Sequence, residues 1–313
     1  MYSIVIEIGK KEGFFMKIVI AGGTGFVGKK LTKLLLDEGH QVVILTRGLS
    51  KTKNGVEYVQ WLQDGARPEK VLGEVDAFVN LAGISLNDGR WTKKRKKAIY
   101  TSRMDATLEI VRIMEGLQKK PKVLVNASAV GIYPTSTINS YTEHFTDYAT
   151  DFLGTTVTDW ERHAKRAEKL GVRVAYARFG VILGADSGAL PAMLLPYKMY
   201  VGGKVGSGEQ WLSWVHVDDA ARALFFAIKN EEILGPFNVT APNPARMKDF
   251  GQTIAEVLKR PHWMPVPSFA MQLALGEQSM LVLEGQHVCP AVLEAQHFEF
   301  QFPHLKEALE DLL

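Results

Sequence analysis

The sequence predicts an α/β protein. It should form a doubly wound parallel sheet of the Rossmann type, with a smaller, partly interleaved C-terminal substrate lobe. Three observations carry this. Short β-branched runs alternate with helical stripes as far as about residue 183. The first run feeds directly into a glycine cluster and a helix. Beyond about residue 184 the alternation breaks down in glycine- and proline-rich sequence, although about 212–240 returns to the sheet layer.

The first element is "KIVIA", Lys17 to Ala21, of the kind a buried parallel strand requires. Gly22, Gly23, Gly25 and Gly28 follow, and then a helix with Leu31, Leu34 and Leu35 on one stripe, ended by Gly39. A second strand, "QVVILT", comes next. Glycine permits the tight turn and a close backbone approach, while the helix N-terminus offers free N–H groups to a pyrophosphate. This order predicts a dinucleotide site. The end of the second strand carries Thr46 and Arg47, with Lys51 and Lys53 nearby, where NAD enzymes commonly place an acid for the ribose hydroxyl. A guanidinium suits a 2′-phosphate, so the expected cofactor is NADP(H).

The alternation continues through "VDAFVNLAG" as a strand and "TSRMDATLEIVRIMEGL" as a helix. "KVLVNASAV" reads as a strand, "WERHAKRAEKLG" as a helix and "VRVAYARFGVILG" as a strand entering a loop. Later, "VHVDDAARALFFAIKN" and "GPFNVT" read as a helix and strand of the same layer; "MKDFGQTIAEVLKR" and "LKEALEDLL" read as short helices. The resulting division is an extension over 1–15, a nucleotide-binding domain over 16–183 and a lobe over 184–313. The extension lacks the basic start of a signal peptide, and Met16 reads as a natural start in its own right. Ligands in such a sheet lie beyond the carboxyl ends of the strands.

Composition narrows the setting. Of 313 residues, 46% are hydrophobic and 23% charged, which is ordinary for a globular chain. The formal net charge of +3 gives no global field that would select nucleic acid or membrane. "TKKRKK" places five positive charges at residues 93–97, and without them the balance falls to −2. That run is read as a solvated helix face rather than a nucleic-acid site. The single cysteine, Cys289, and the absence of metal-type Cys/His spacing point to a reducing, cytoplasmic setting with no metal. No apolar run is long enough to span a bilayer. Trp211 and Trp214 are read as cleft-lining or as core packing, and the matches to the glycosylation sequon at Asn126 and Asn238 carry no weight on buried strands.

Taken together, "GGTGFVG", "NLAG", "NASAV" and "WVHVDDAA" resemble an extended short-chain dehydrogenase/reductase. The similarity is closer to an atypical branch, the NAD(P)-dependent epimerase family proteins of the YfcH/YfhF-like type. It rests on "RWTKKRKKAIYTSR", "RFGVILGADSGAL", "GGKVGSGEQWLSWVHVDD" and the closing "GQHVCPAVLEAQHFEFQFPHLKEALEDLL", and it covers residues 16–313. The resemblance implies that Gly22, Gly25 and Gly28 line the pyrophosphate, with Thr24, Phe26 and Val27 alongside. It implies that Thr46 and Arg47 sit at the 2′-phosphate and that Leu81, Ala82 and Gly83 lie along the cofactor. Arg103 is implied as a further cofactor contact, and Val181 as a neighbour of the nicotinamide end.

The chain departs from that pattern at the catalytic motif. Ser128 fills the serine role. Extended members then carry a Tyr-x-x-x-Lys helix with an acid four residues past the lysine. If Glu161 in "DFLGTTVTDWE" is that acid, the lysine position holds Val157 and the tyrosine position Leu153. Neither can transfer a proton. The one tyrosine with lysine four residues on is Tyr200, in "YVGGK", where two glycines disfavour the helix that the pair requires. Ser128 is therefore the leading catalytic candidate, expected to polarise a carbonyl, and Tyr133 the next. Glu143, His144 and His216 are further candidates as proton donors, but they read as structural or solvated residues. The expected function is an NADP(H)-dependent oxidoreductase or epimerase acting on a small carbonyl or hydroxyl compound, with a nucleotide sugar among the candidates. The alternative is a weakly active or inactive NADP(H)-binding sensor. The sequence leaves open the substrate and whether the chain forms a homo-oligomer.

Overall fold

A computed structural model describes residues 15–313, so the extension anticipated over 1–15 falls, Phe15 excepted, outside the described residues. The first half runs β1 (Lys17–Ala21), α1 (Phe26–Asp37), β2 (Gln41–Thr46), β3 (Lys51–Lys53), β4 (Val56–Gln60), β5 (Ala77–Asn80), α2 (Lys93–Gly116) and β6 (Val123–Ala129). It continues with β7 (Ser140–Tyr141), α3 (Phe152–Ala164), β8 (Arg173–Phe179), β9 (Val181–Leu183) and α4 (Leu190–Lys198). The second half adds β10 (Trp211–Leu212), β11 (Trp214–His216), α5 (Val217–Lys229), β12 (Gly235–Val239), β13 (Ala245–Arg246) and α6 (Met247–Leu258). It closes with α7 (Ser268–Leu275), α8 (Met280–Leu283), β14 (His287–Val288), α9 (Ala291–Ala295) and α10 (Leu305–Leu312).

Eight strands form the central sheet in the order β12-β8-β6-β5-β1-β2-β4-β3. All neighbours are parallel except the edge pair β3–β4. The reversal of strand order at β1 and β5 is what opens a crevice at their carboxyl ends. Burial follows the two-residue period of a strand. Ile18 and Ile20 join Leu31, Leu35 and Leu224 on the face covered by α1 and α5. Val19 and Ala21 join Ile110, Met114 and Ala164 on the face covered by α2 and α3. Burial on both faces explains why these strands read as continuous apolar runs.

Helix α1 begins at Phe26, directly after Gly25, so Phe26, Val27 and Gly28 form its first turn. The basic run likewise falls in the first turns of α2, where Thr92 caps the helix by accepting the Arg95 N–H. Two of its members are tied down: Lys96 pairs with Glu277 at 2.7 Å and Arg95 with Asp88 at 3.7 Å.

The later chain has its own core, in which Leu183, Leu194, Tyr197, Trp214, Phe250 and Leu309 pack together. Trp214 is fully buried there and donates to the Asn243 carbonyl. Strand β12 nevertheless pairs with β8 in the central sheet. Asp219, buried at the start of α5, accepts the backbone N–H groups of Gln301 and Phe302 at 2.8 Å each and thereby clips the C-terminal segment onto that helix. Among the described residues no helix is long and apolar enough to cross a membrane.

Candidate functional site: a cleft at the carboxyl ends of the strands

The glycine turn is built by close approach. Gly22 has φ +80°, and a Cβ on it would lie 2.6 Å from the Leu81 carbonyl oxygen. A Cβ on Gly28 would lie 2.2 Å from the Gly22 carbonyl oxygen, so the helix start can press against the turn only without a side chain. No side chain caps α1 at Gly25. Its leading N–H groups are left to whatever occupies the crevice. Thr24 and Gly25 are exposed there, and Val27 is half-buried against the core. The Phe26 ring lies against Gly184 and Gly188, holding the loop after β9 beside the turn.

At the end of β2, Arg47 is exposed, and the Thr46 hydroxyl accepts the Gly48 N–H at 3.1 Å. Lys51 and Lys53 sit exposed on β3 at the same edge of the sheet. Among the described residues neither Arg47 nor Lys53 has a carboxylate partner.

Buried amides shape the loop after β5. Asn80 donates to Asn126 at 2.7 Å and to Thr107 at 3.0 Å, and its oxygen accepts the Ala82 N–H at 3.2 Å. The Trp160 indole N–H donates to the same Thr107 hydroxyl. Leu81, Ala82 and Gly83 are thus fixed across from the glycine turn. Arg103 lies against Gly83, 5.1 Å from the Trp160 ring, and donates to the carbonyls of Ile84 and Ile99. Its charge faces no carboxylate among the described residues. Burial lowers its pKa to about 10, so it remains a cation at neutral pH without an anion beside it.

A cleft of about 900 Å³ opens between this ledge and the lobe. Phe26, Arg103, Ser128, Val181, Leu153 and Val157 all line it. Ser128, at the end of β6, donates its hydroxyl proton to Glu161 Oε1 at 2.5 Å. Glu161 in turn accepts from Arg178 Nε at 2.8 Å and Nη2 at 2.9 Å. Arg178 is 1% exposed and also donates to the hydroxyls of Tyr133 and Tyr148. Burial works against its charge, but the Glu161 pair outweighs this and raises its pKa. A serine hydroxyl has one proton. With that proton on Glu161, Ser128 offers the cleft lone pairs, which differs from the carbonyl-polarising role expected of it.

Tyr133 does not line the cleft. Its ring is fully buried, and its hydroxyl donates to Asn238 while accepting from Arg178. Burial pushes its pKa up to about 12. Leu153 and Val157 do face the cleft, from the first two turns of α3. Tyr200 lies outside any helix at φ +63°, exposed, with its ring against Arg260. His216 is fully buried and caps α5 through Nδ1; its Nε2 lies 3.2 Å from Asp311 without hydrogen-bond geometry. Glu143 is buried beneath the cleft floor, where its Oε1 accepts the N–H groups of Asn238 and Val292. No group of three or more His, Cys, Asp or Glu side chains among the described residues is arranged to hold a metal ion.

Two features escaped sequence reasoning. One is the Arg178 partnership with Glu161, which joins strand to helix across the sheet layer and has no local signal. The other is the lobe wall, assembled from Met193, Tyr197, Phe250, Ile254, Met271 and Leu281 on separate segments. Trp211 also lines the cleft, whereas Trp214 does not.

Similarity to known proteins agrees with this construction. Residues 18–240 match the model of the NAD dependent epimerase/dehydratase family, and residues 266–312 match a domain of unknown function, DUF1731. Epimerase family protein YfhF of Bacillus subtilis is 48% identical over 299 residues, spanning 95% of this chain and 98% of its own. A Staphylococcus haemolyticus epimerase family protein is 46% identical over 298 residues, spanning 95% and 99%. The crystal structure of human epimerase family protein SDR39U1 with NADPH superposes with a TM-score of 0.85 at 33% identity, covering 95% of this chain and 99% of that one. UDP-glucuronic acid 4-epimerase from Bacillus cereus shares the fold, with a TM-score of 0.74 at 15% identity over 95% of this chain and 98% of that one.

Proposed function

The chain belongs to the NAD dependent epimerase/dehydratase family, and from that premise we propose that it is an NADP(H)-dependent oxidoreductase or epimerase-like enzyme. Its substrate is a small molecule, worked on at a carbon bearing a hydroxyl or carbonyl group. The observation that carries the reading is the Ser128 hydroxyl, fixed by Glu161 and lining the same cleft as Arg103 and Phe26.

The residues fit a dinucleotide. The uncapped start of α1 and the side-chain-free turn suit a pyrophosphate, and Arg103 supplies a cation that the protein does not neutralise. Arg47, at the end of β2, supports the 2′-phosphate form, as does the NADPH in the human relative. A bound nicotinamide would supply the hydride donor or acceptor. The protein's part is to place the substrate oxygen against Ser128. On oxidation, the substrate hydroxyl proton passes to Ser128 Oγ as the serine proton passes to Glu161; on reduction both return. A cytoplasmic setting belongs to the same proposal.

Leu153 and Val157 favour one second reading, a cofactor-binding sensor with little turnover, because neither can assist a proton. The experiment is a panel of alcohols with NADP⁺ and of ketones and aldehydes with NADPH, followed by cofactor absorbance beside a direct cofactor-binding titration. Turnover of any compound supports the enzyme. Tight cofactor binding with no turnover supports the sensor. Absence of cofactor binding removes both.

A further inference from the structure

We infer that the lobe half of the cleft is built for an uncharged, largely hydrocarbon substrate, a ketone or secondary alcohol, and not for a nucleoside diphosphate sugar. The inference rests on the reading of the cleft as a carbonyl or hydroxyl site and specifies its substrate class.

The wall contributed by the lobe is Met193, Phe250, Ile254, Val266, Met271 and Leu281, with their neighbours. Among the described residues lining the cleft from the lobe, none is Lys, Arg or His, and one, Glu284, is an acid. A nucleoside diphosphate brings two negative charges. Such charges bind where guanidinium, ammonium or grouped N–H donors replace their water. This wall offers none.

The polar side chains that the lobe brings to the cleft each have a partner within the protein. The Tyr197 hydroxyl pairs with His262 Nδ1 at 3.0 Å, and the Ser213 hydroxyl donates to the Gln286 carbonyl at 2.8 Å. Gln278 donates to the Leu86 carbonyl, Gln286 to the Tyr133 carbonyl, and the Trp211 indole to the Thr137 carbonyl. Thr135 donates to Glu284. What these residues turn toward the cavity is largely carbon.

Cations on the opposite side do not alter this. Arg90, which lines the cleft, is held by the carbonyls of Leu273 and Ala274, to which its Nη2 donates at 3.0 and 2.7 Å, and it is a single positive charge against the two negative charges of a diphosphate. Arg103 lies against Gly83 on the cofactor ledge. Arg246 and Lys248, which flank the Trp211 strand, are held by the Glu209 carbonyl and carboxylate. The cleft of about 900 Å³, shared with the cofactor ledge, sets this carbon wall across from the anchored Ser128 hydroxyl, an arrangement that suits an apolar body carrying a single oxygen.

The full chain is titrated with the neutral fluorescent probe N-phenylnaphthylamine, with NADPH binding measured separately by its own fluorescence. The expected result is saturable probe binding, reversed by menthone and left intact by UDP-glucose in large excess. Met193→Asp and Met271→Asp should each weaken probe binding by about 10-fold or more, from the cost of an unpaired charge in an apolar wall. NADPH affinity should not change in either variant, which also confirms folding. Displacement by UDP-glucose at or below the menthone concentration overturns the inference. So does NADPH binding without saturable probe binding. Failure of NADPH to bind overturns the cofactor reading instead, and the apolar wall is then judged by the probe and the two variants alone.

Discussion

Ser128 Oγ sits 2.5 Å from Glu161 Oε1 and donates its only proton there. Glu161 is gripped on both oxygens by Arg178, so the acceptor cannot turn away. The outcome is a serine whose free lone pairs face a cleft and whose proton has a defined exit. A Tyr-x-x-x-Lys pair would divide this work between a phenol and an ammonium. Here a strand-end serine and a helix carboxylate stand on the same side of the cleft with no such pair between them.

Ser128→Ala should lower turnover by about 100-fold or more while leaving cofactor affinity unchanged, in keeping with loss of the group that takes the substrate proton. Steady-state rates beside a cofactor titration check this on any compound the protein turns over. Turnover within a few-fold of the parent chain would remove Ser128 from the chemistry.

Glu161→Ala should destabilise the fold by about 3–5 kcal/mol, because it leaves the Arg178 cation, 1% exposed, without its carboxylate. The double change Glu161→Ala with Arg178→Met should recover most of that loss, since no buried charge is then stranded. Denaturant unfolding of the two variants measures the difference. Equal instability in both would show that packing, and not charge, is what matters there.

Arg47→Ala should weaken NADPH binding by about 10- to 100-fold, the range for a lost hydrogen bond to a charged group, and leave NADH binding as it was. A parallel titration with both cofactors reads the ratio. An equal loss for both would place Arg47 away from the 2′-phosphate.

Stability should carry a pH signature from Glu143. Burial raises its pKa above the ordinary 4.5, against the backbone N–H groups that hold its Oε1. Its Oε2 is buried without a partner. Because the folded value lies above the unfolded one, the native state keeps a proton that the unfolded chain has released. The stabilising contribution is therefore complete below 4.5 and is lost as pH rises through the folded value. Glu143→Gln should show a flatter stability profile across that window, with its advantage over the parent chain growing as pH rises. A constant gap would mean that Glu143 ionisation is not coupled to folding.

Local pattern explains which parts were legible in the sequence. The strand–turn–helix at Lys17–Asp37 is specified by adjacent residues, and the spacing from Glu161 back to Val157 and Leu153 places both on one helical face. The role of Glu161, on α3, was not legible, since it depends on Ser128 and Arg178, which reach it from the strands β6 and β8. "YVGGK" misleads for the opposite reason. It has the letters of a motif, but Tyr200 adopts φ +63° and the glycines run past it as an extended loop. The lobe wall is spread along the chain from Met193 to Leu281, so no window of sequence shows that its cleft face lacks cations.

Restoring the missing pair tests whether the chain has merely lost a motif or has been rebuilt without it. Leu153 lies against Gly131 at the cleft and has room to vary. Val157 borders the cleft as well, but it is 4% exposed and packs with Ile132, Tyr133, Tyr141 and Val288 in a small core at the cleft floor. A lysine there would bury an ammonium among aromatic and aliphatic side chains, at a cost of several kcal/mol unless it gives up its proton. Leu153→Tyr should therefore fold with near-parental stability. Val157→Lys should be destabilised by about 3 kcal/mol or more, and the double variant should lose as much as the lysine variant alone without gaining turnover. Thermal unfolding and the alcohol and ketone panel measure both. A stable double variant with raised turnover would mean that the position still serves a lysine, and that the Ser128–Glu161 pair is secondary to it.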